Sequence, residues 1–216
     1  MNTNNSLVYQ FKISLHQIKP YIWRRIQVPA SYTFRQLHFA IQDSMGWKSG
    51  LQDYHLHTFT FRYFGSKCVT EVGPPSGRSF GGFFPRNKII PEKKAKIAQF
   101  FKVGRKAVYT YDFGDDWDHD VVLEKILPKV EGCTYPRCIK GKRACPPEDC
   151  GGYEGYNEHI AIIRDSNHPE YESHCEWVTK QNASLNPEEF DSAAVKFCEG
   201  KIRKAKALKK TSLNGK

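Results

Sequence analysis

The sequence predicts an α+β fold. A mixed sheet of about five strands with one crossing helix, β-grasp-like or a roll, is followed by a C-terminal helical segment. Three observations carry this. Residues 7–15 alternate apolar and polar side chains, the period of a strand with one buried face. Residues 34–45 place Phe34, Leu37, Ile41 and Met45 at helical spacing. Strand-like segments come first along the chain and most helical ones are gathered at its end.

The first strand puts Tyr9, Phe11, Ile13 and Leu15 on one face. Lys19-Pro20 turns the chain, and Tyr21 to Val28 is a second strand ended by Pro29. The two make a hairpin. Thr33 is the N-cap of the helix, and Gly46 closes it. His38, on the inner side, reads as a satisfied core histidine. Tyr54 to Tyr63 is a third strand, with His55 and His57 on one face. Gly65 to Pro91 is rich in Gly, Pro and Ser and reads as a loop, and Glu92 to Phe101 reads as a short basic helix. Lys106 to Phe113 and Asp120 to Leu127 pair as the fourth and fifth strands across Gly114-Asp-Asp. A Cys-rich loop spans 131–153. Helices are expected over Tyr156 to Asp165, Pro169 to Lys180, and Pro187 to about Ala207.

This arrangement makes residues 1–200 one domain, with an insertion of loop and basic helix at 65–105, a helical segment at 156–200 and a basic tail at 201–216. A chain of 216 residues with 39% hydrophobic and 13% aromatic side chains supports a real core and excludes a disordered protein. No apolar run reaches the roughly 18 residues of a membrane span, and residues 1–9 lack a signal peptide's basic and apolar regions. A cytoplasmic protein without membrane contact is expected. The seven cysteines are an odd number, which argues against a disulfide framework in that compartment.

The net charge of +10 is unevenly placed. Residues 85–106 carry +7 and residues 201–216 another +7, so about −4 is left for the rest. The tail can add weak, salt-dependent contact with nucleic acid, or serve only solubility.

Two motifs concentrate chemistry-bearing residues. Asp112, Asp115, Asp116, Asp118 and Asp120 surround Trp117 and His119 in one short stretch. Carboxylates and an imidazole so close can bind a metal or a cationic group. Equally, Asp caps β-turns and Trp117 anchors them. The second motif spaces Cys133, Cys138, Cys145 and Cys150 with gaps of four, six and four residues. Four sulfur ligands could form a structural zinc clip for this loop, with His119 or His159 able to replace Cys133. Glu148 and Asp149, between Pro146-Pro147 and Gly151-Gly152, are either rigidly presented carboxylates or helix caps. His55 and His57 could meet His119 across the sheet, an ingredient of metal hydrolases, yet no His-x-x-x-His, Gly-x-Ser-x-Gly or P-loop is present.

These stretches resemble the plasmid pRiA4b ORF-3-like proteins. The matching residues are Ile18-Lys-Pro-Tyr-Ile-Trp-Arg-Arg-Ile-Gln-Val-Pro29, Leu37-His38, Ile41-Gln42, Met45-Gly-Trp47, His55-Leu-His57, Tyr111-Asp-Phe-Gly-Asp-Asp-Trp-Asp-His119, Tyr135-Pro-Arg-Cys138, and Ala144-Cys-Pro-Pro-Glu-Asp-Cys-Gly-Gly152. The family's Trp-Glu-His is Trp117-Asp118-His119 here, and the loop near 73–84 and the basic tail depart from its pattern. The resemblance implies an α+β domain without an established activity. The resolvase label of some members would require a nucleophilic Ser domain and a helix-turn-helix, and the sequence has neither.

Three functional readings follow. The first is a cytoplasmic binding or scaffold domain whose recognition surface combines Trp23, Arg24, His57, Asp115, Trp117, His119, Glu148 and Asp149. The second is a metal-dependent hydrolase or nuclease using the 112–119 turn, including Asp116, with His57. The third is a nucleic-acid-associated protein of mobile elements.

Overall fold

In a computed structural model that describes residues 6–47, 56–62, 69–74 and 89–198, the chain folds around one eight-stranded sheet. The strands are β1 (Leu7–Leu15), β2 (Trp23–Pro29), β3 (His57–Arg62), β4 (Val69–Gly73), β5 (Ile90–Pro91), β6 (Lys106–Tyr111), β7 (Trp117–Pro128) and β8 (Arg137–Lys142). Their order is β5-β4-β3-β6-β7-β1-β2-β8. Every pairing is antiparallel except the short parallel contact of β4 with β5. The helices are α1 (Phe34–Met45), α2 (Gly152–Arg164) and α3 (Tyr171–Lys180).

The expected α+β class holds, with eight strands instead of about five. The three additions, β4, β5 and β8, lie toward the ends of the sheet. β4 runs through the segment read as a loop, and β8 runs through the Cys-rich loop. No element of the described residues pairs on the outer side of β5 or β8, so neither needs a strongly alternating apolar pattern.

The core lies between α1 and the inner sheet face. Phe11, Ile13, Leu15, Ile26, Phe59, Phe61, Tyr109, Val121 and Leu123 point inward and are buried, as are Phe34, Leu37 and Ile41 of the helix. Phe34 is central, with Phe59 at 5.0 Å and Phe100 at 5.2 Å between ring centroids in edge-to-face contact. The capping expectation is met in full. The Thr33 hydroxyl accepts from the Gln36 amide nitrogen, and the Gln36 side chain accepts from the Thr33 backbone. Gly46, at φ 102°, ends the helix in the left-handed region.

Among the described residues, two expected helices do not form. The 92–101 segment contains only a 3-10 turn at Ile97–Gln99. Its carbonyls are used elsewhere: Phe34 N–H donates to Ala95 O and Arg35 N–H to Glu92 O. These are first-turn amides of α1, which have no acceptor within their own helix. The segment caps α1 instead of coiling on itself. Residues 187–198 run through turns and bends, where Asn186 Oδ1 accepts from Glu188 N–H and Asp191 Oδ1 from Ala193 N–H. Such short polar side chains offer the backbone a local alternative to helix. Residues 199–207 of that expected helix lie outside the described residues, as do His55, Cys68 and the 201–216 tail.

Candidate functional site

Antiparallel register places the motifs. β6 and β7 pair Tyr109 with His119 and Tyr111 with Trp117, so the acidic stretch is the hairpin between them. Its aspartates shape the turn. Asp112 and Asp116 adopt φ of 52° and 50°, a region Asp tolerates better than most residues. Asp112 Oδ1 accepts from Gly114 N–H, and Asp116 N–H donates to Asp112 O at 2.6 Å. Asp116 itself is exposed. Asp115 is half-buried, and its Oδ2 is buried with no hydrogen-bond partner among the described residues.

The turn packs against the end of the Cys-rich loop, as the sequence motifs suggest. Gly152 stands so close that an added Cβ would lie 2.8 Å from Asp115 O, and its φ is 68°. Gly152→Ala therefore faces both left-handed strain and a backbone clash. We expect it to destabilise the fold by about 1–3 kcal/mol, as read from urea unfolding curves. A change below about 0.5 kcal/mol would mean that the turn and loop separate freely.

A ladder of aromatic and polar side chains rises from this contact. Trp47, just past α1, donates its indole N–H to Pro146 O at 3.0 Å and stacks on Tyr111 at 4.9 Å. The Tyr111 hydroxyl donates to Glu148 Oε1 at 2.6 Å. Burial, then the Glu148 carboxylate, drives the Tyr111 pKa far above the usual phenol value. Trp117 meets Tyr153 edge-on at 5.0 Å, and the Tyr153 hydroxyl accepts from Asp118 N–H. Glu148 is thus buried and engaged, while Asp149 is exposed at φ 55°.

His119 lies below the ladder, wholly buried and edge-on to Trp47 at 5.4 Å. Its Nδ1 bonds the Trp117 carbonyl at 2.9 Å, and its Nε2 has no partner among the described residues. Burial pushes its pKa down to about 3, so the ring is neutral at neutral pH. His57 is separate from it. Its Nε2 lies 2.6 Å from Glu92 Oε2, with both side chains buried, and His38 stacks on it at 3.6 Å. His38 Nδ1 bonds the Tyr109 hydroxyl at 2.8 Å, and Gln42 Nε2 donates to the same oxygen. Both His57 and His119 contact the Tyr109 ring, at 6.0 and 5.4 Å, and each keeps its own polar partner. His38 is the satisfied core histidine expected of it, held neutral by burial. Glu92 escaped sequence reasoning, because an acid among Pro91, Lys93 and Lys94 looks like part of a solvated basic segment.

The cysteines do not assemble as a ligand set. Among the described residues no three His, Cys, Asp or Glu side chains converge to hold a metal ion. Cys133 accepts from Arg137 Nη1, Cys138 bonds the Lys140 carbonyl, and Cys150 bonds Gly152 O, all as free thiols. Burial raises the pKa of the Cys145 thiol and pushes Cys150 up to about 12. His57, Asp115, Asp116 and His119 likewise do not share one cluster.

A cleft of about 680 Å³ opens between the end of α1, the Ala144–Glu148 loop and residues 181–196. Arg24, Trp47, Cys145, Glu148 and Phe190 line it. Arg24 is 1% exposed. Its Nε donates to Ser44 O at 2.7 Å, and its Nη1 to Trp23 O and Lys142 O. Phe190 covers the guanidinium plane at 3.8 Å. No carboxylate pairs with Arg24 among the described residues, and its Nη2 has no protein acceptor there.

Comparison with known proteins places this architecture. The plasmid pRiA4b ORF-3-like protein family matches residues 7–194. The chain is similar to the uncharacterized protein y4hQ of Sinorhizobium fredii, at 30% identity over 195 residues, covering 89% of this chain and 88% of that one. It is also similar to a protein of unknown function, MM3350 from Methanosarcina mazei Go1. Those crystal coordinates superpose with a TM-score of 0.74 at 43% identity, covering 89% of this chain and 99% of the other.

Proposed function

The chain belongs to the plasmid pRiA4b ORF-3-like family, and from that premise we propose that it is a binding domain whose cleft takes a small ligand with an anionic group against Arg24. One observation carries this reading: a fully buried guanidinium lines the cleft with only backbone carbonyls for partners. Removing an ion from water costs several kcal/mol, and carbonyl dipoles offset only part of it. An anion at the Nη2 edge would supply the missing charge. The cleft volume lies within the range of small-molecule sites. Glu148 and Asp43 line other parts of it, and each already accepts a hydrogen bond, from Tyr111 and from Cys198 N–H. They favour a ligand whose far end donates hydrogen bonds.

Thermal denaturation against a panel of phosphate, sulfate, small carboxylates and amino acids tests the reading. At least one anion is expected to raise Tm saturably. Arg24→Met should abolish that response while the chain still unfolds cooperatively, at a ligand-free Tm lowered by the three carbonyls that lose their donor. If no anion stabilises the native chain, the proposal fails. It also fails if Arg24→Met retains the response.

A further inference from the structure

The outer face of the sheet, opposite α1, presents a different chemistry. Register and strand alternation align Lys106, Val122, Lys12, Arg25 and Lys140 across β6, β7, β1, β2 and β8. At about 4.8 Å per strand this row spans ~19 Å. The next row holds Asp120, Ser14, Trp23 and Lys142. Contacts confirm the shared face: Lys12 Nζ lies 5.6 Å from the Trp23 ring centroid, and the Arg25 guanidinium lies 5.3 Å from it. Lys12 and Arg25 are register partners that both approach the indole of half-buried Trp23.

The two acids beside this row are engaged, while Asp118, farther along β7, accepts a hydrogen bond from the Thr110 hydroxyl. Glu124 is held by Arg25 through two bonds of 2.6 and 2.8 Å and by Gln10. Asp120 is held by His16 and Lys106. Lys12, Lys140 and Lys142 form no ion pair among the described residues, and Lys140 and Lys142 are exposed. Outside its two basic segments the chain carries a small excess of acid, so this cationic row is a local concentration of charge.

We infer that this face binds single-stranded nucleic acid. A base stacks on the half-buried ring of Trp23, and the backbone phosphates run past Lys12, Lys140 and Lys142, the lysines of this face that hold no acid. Cations in a line beside an accessible aromatic ring are the ingredients of sequence-tolerant single-strand recognition. A flat sheet face cannot enter the grooves of a duplex as a helix does. The proposal is independent of the Arg24 cleft, whose floor lies on the other side of β2.

The test is fluorescence anisotropy with the full chain, a labelled 15-nucleotide mixed-sequence single strand, as DNA and as RNA, and the same sequence as a duplex. The native chain is expected to bind at least one single strand about tenfold more tightly than the duplex. Trp23→Ala should weaken that binding about tenfold or more, with Trp23→Phe recovering most of it. Lys12→Gln with Lys140→Gln should flatten the dependence of log K on log salt by about 1.4, the slope of two phosphate contacts on a single strand. The basic tail is present in every variant, so tail-driven binding leaves all of them unchanged. That result would overturn the proposal, as would equal binding of duplex or no binding at 50 mM salt.

Discussion

Glu92→Ala is expected to destabilise the fold by about 3–5 kcal/mol, the largest effect of any single polar substitution here. The Glu92 side chain is 1% exposed, and its carboxylate meets His57 Nε2 at 2.6 Å inside the core. Truncation removes one partner and leaves the other buried in apolar surroundings, which is worse than never having had the pair. The effect extends further, because His57 stacks on His38, whose Nδ1 holds the Tyr109 hydroxyl. The 92–95 segment also caps the start of α1, so loosening it frees two amides of that helix. Chemical denaturation measures the loss. Replacing the pair together, with His57→Phe and Glu92→Leu, should cost clearly less than Glu92→Ala alone. A loss under 1 kcal/mol for Glu92→Ala would mean that the pair is solvated and the core description is wrong.

Mild acid is expected to produce the second large effect. His119 titrates at about 3 in the folded chain because burial disfavours the charged ring, against an ordinary value of 6.5. Between those values the unfolded chain binds a proton that the folded chain does not. Stability from this residue is therefore complete above about pH 6.5 and is lost as pH falls toward 3. At about 1.4 kcal/mol per unit, lowering the pH from 6.5 to 4.5 removes roughly 3 kcal/mol through His119 alone. His38 is shifted in the same direction by the same cause, and His159, beside His174, is pushed to about 4. Urea unfolding at pH 7.5 and 4.5 should show a steep fall. In His119→Phe, which keeps a ring but cannot titrate, the fall should shrink by about the His119 share. Equal falls in both proteins would place the acid sensitivity elsewhere.

Much of the framework was legible because it rests on local rules. The alternation of Tyr9 through Leu15, the Thr33 N-cap and Gly46 each act within a few residues. The same holds for the hairpin around Gly114, where Asp112 and Asp116 supply the turn geometry. The errors have different physical origins. Residues 92–101 have a helix-like pattern, but their carbonyls serve another helix, a demand that no local window contains. Residues 187–198 lose their helix to Asn186 and Asp191, and to the seat of Phe190 over Arg24. β4 and β8 were hidden among Gly, Pro and Cys.

The candidate site was legible in part. The acidic turn and the Glu148 loop do meet. The four cysteines, which spacing alone suggested as ligands, remain separate thiols. Arg24 was named from the sequence only as part of a surface. Nothing local marks it as a buried cation, because that follows from Ile13 opposite it and Phe190 above it.

The sheet order also sets when this chain can fold. β1 lies between β2 and β7, so its second neighbour is drawn from residues 117–128. On the ribosome, the first hairpin must wait with one edge bare until more than half of the chain has been made. The backbone N–H and C=O groups on that edge of β1 stay without their strand partner for that interval. Closing the sheet through so distant a partner favours slow folding, in the range typical of sheets held by non-local pairing. Synthesis rate and chaperone access during that interval then govern yield as much as the final stability does.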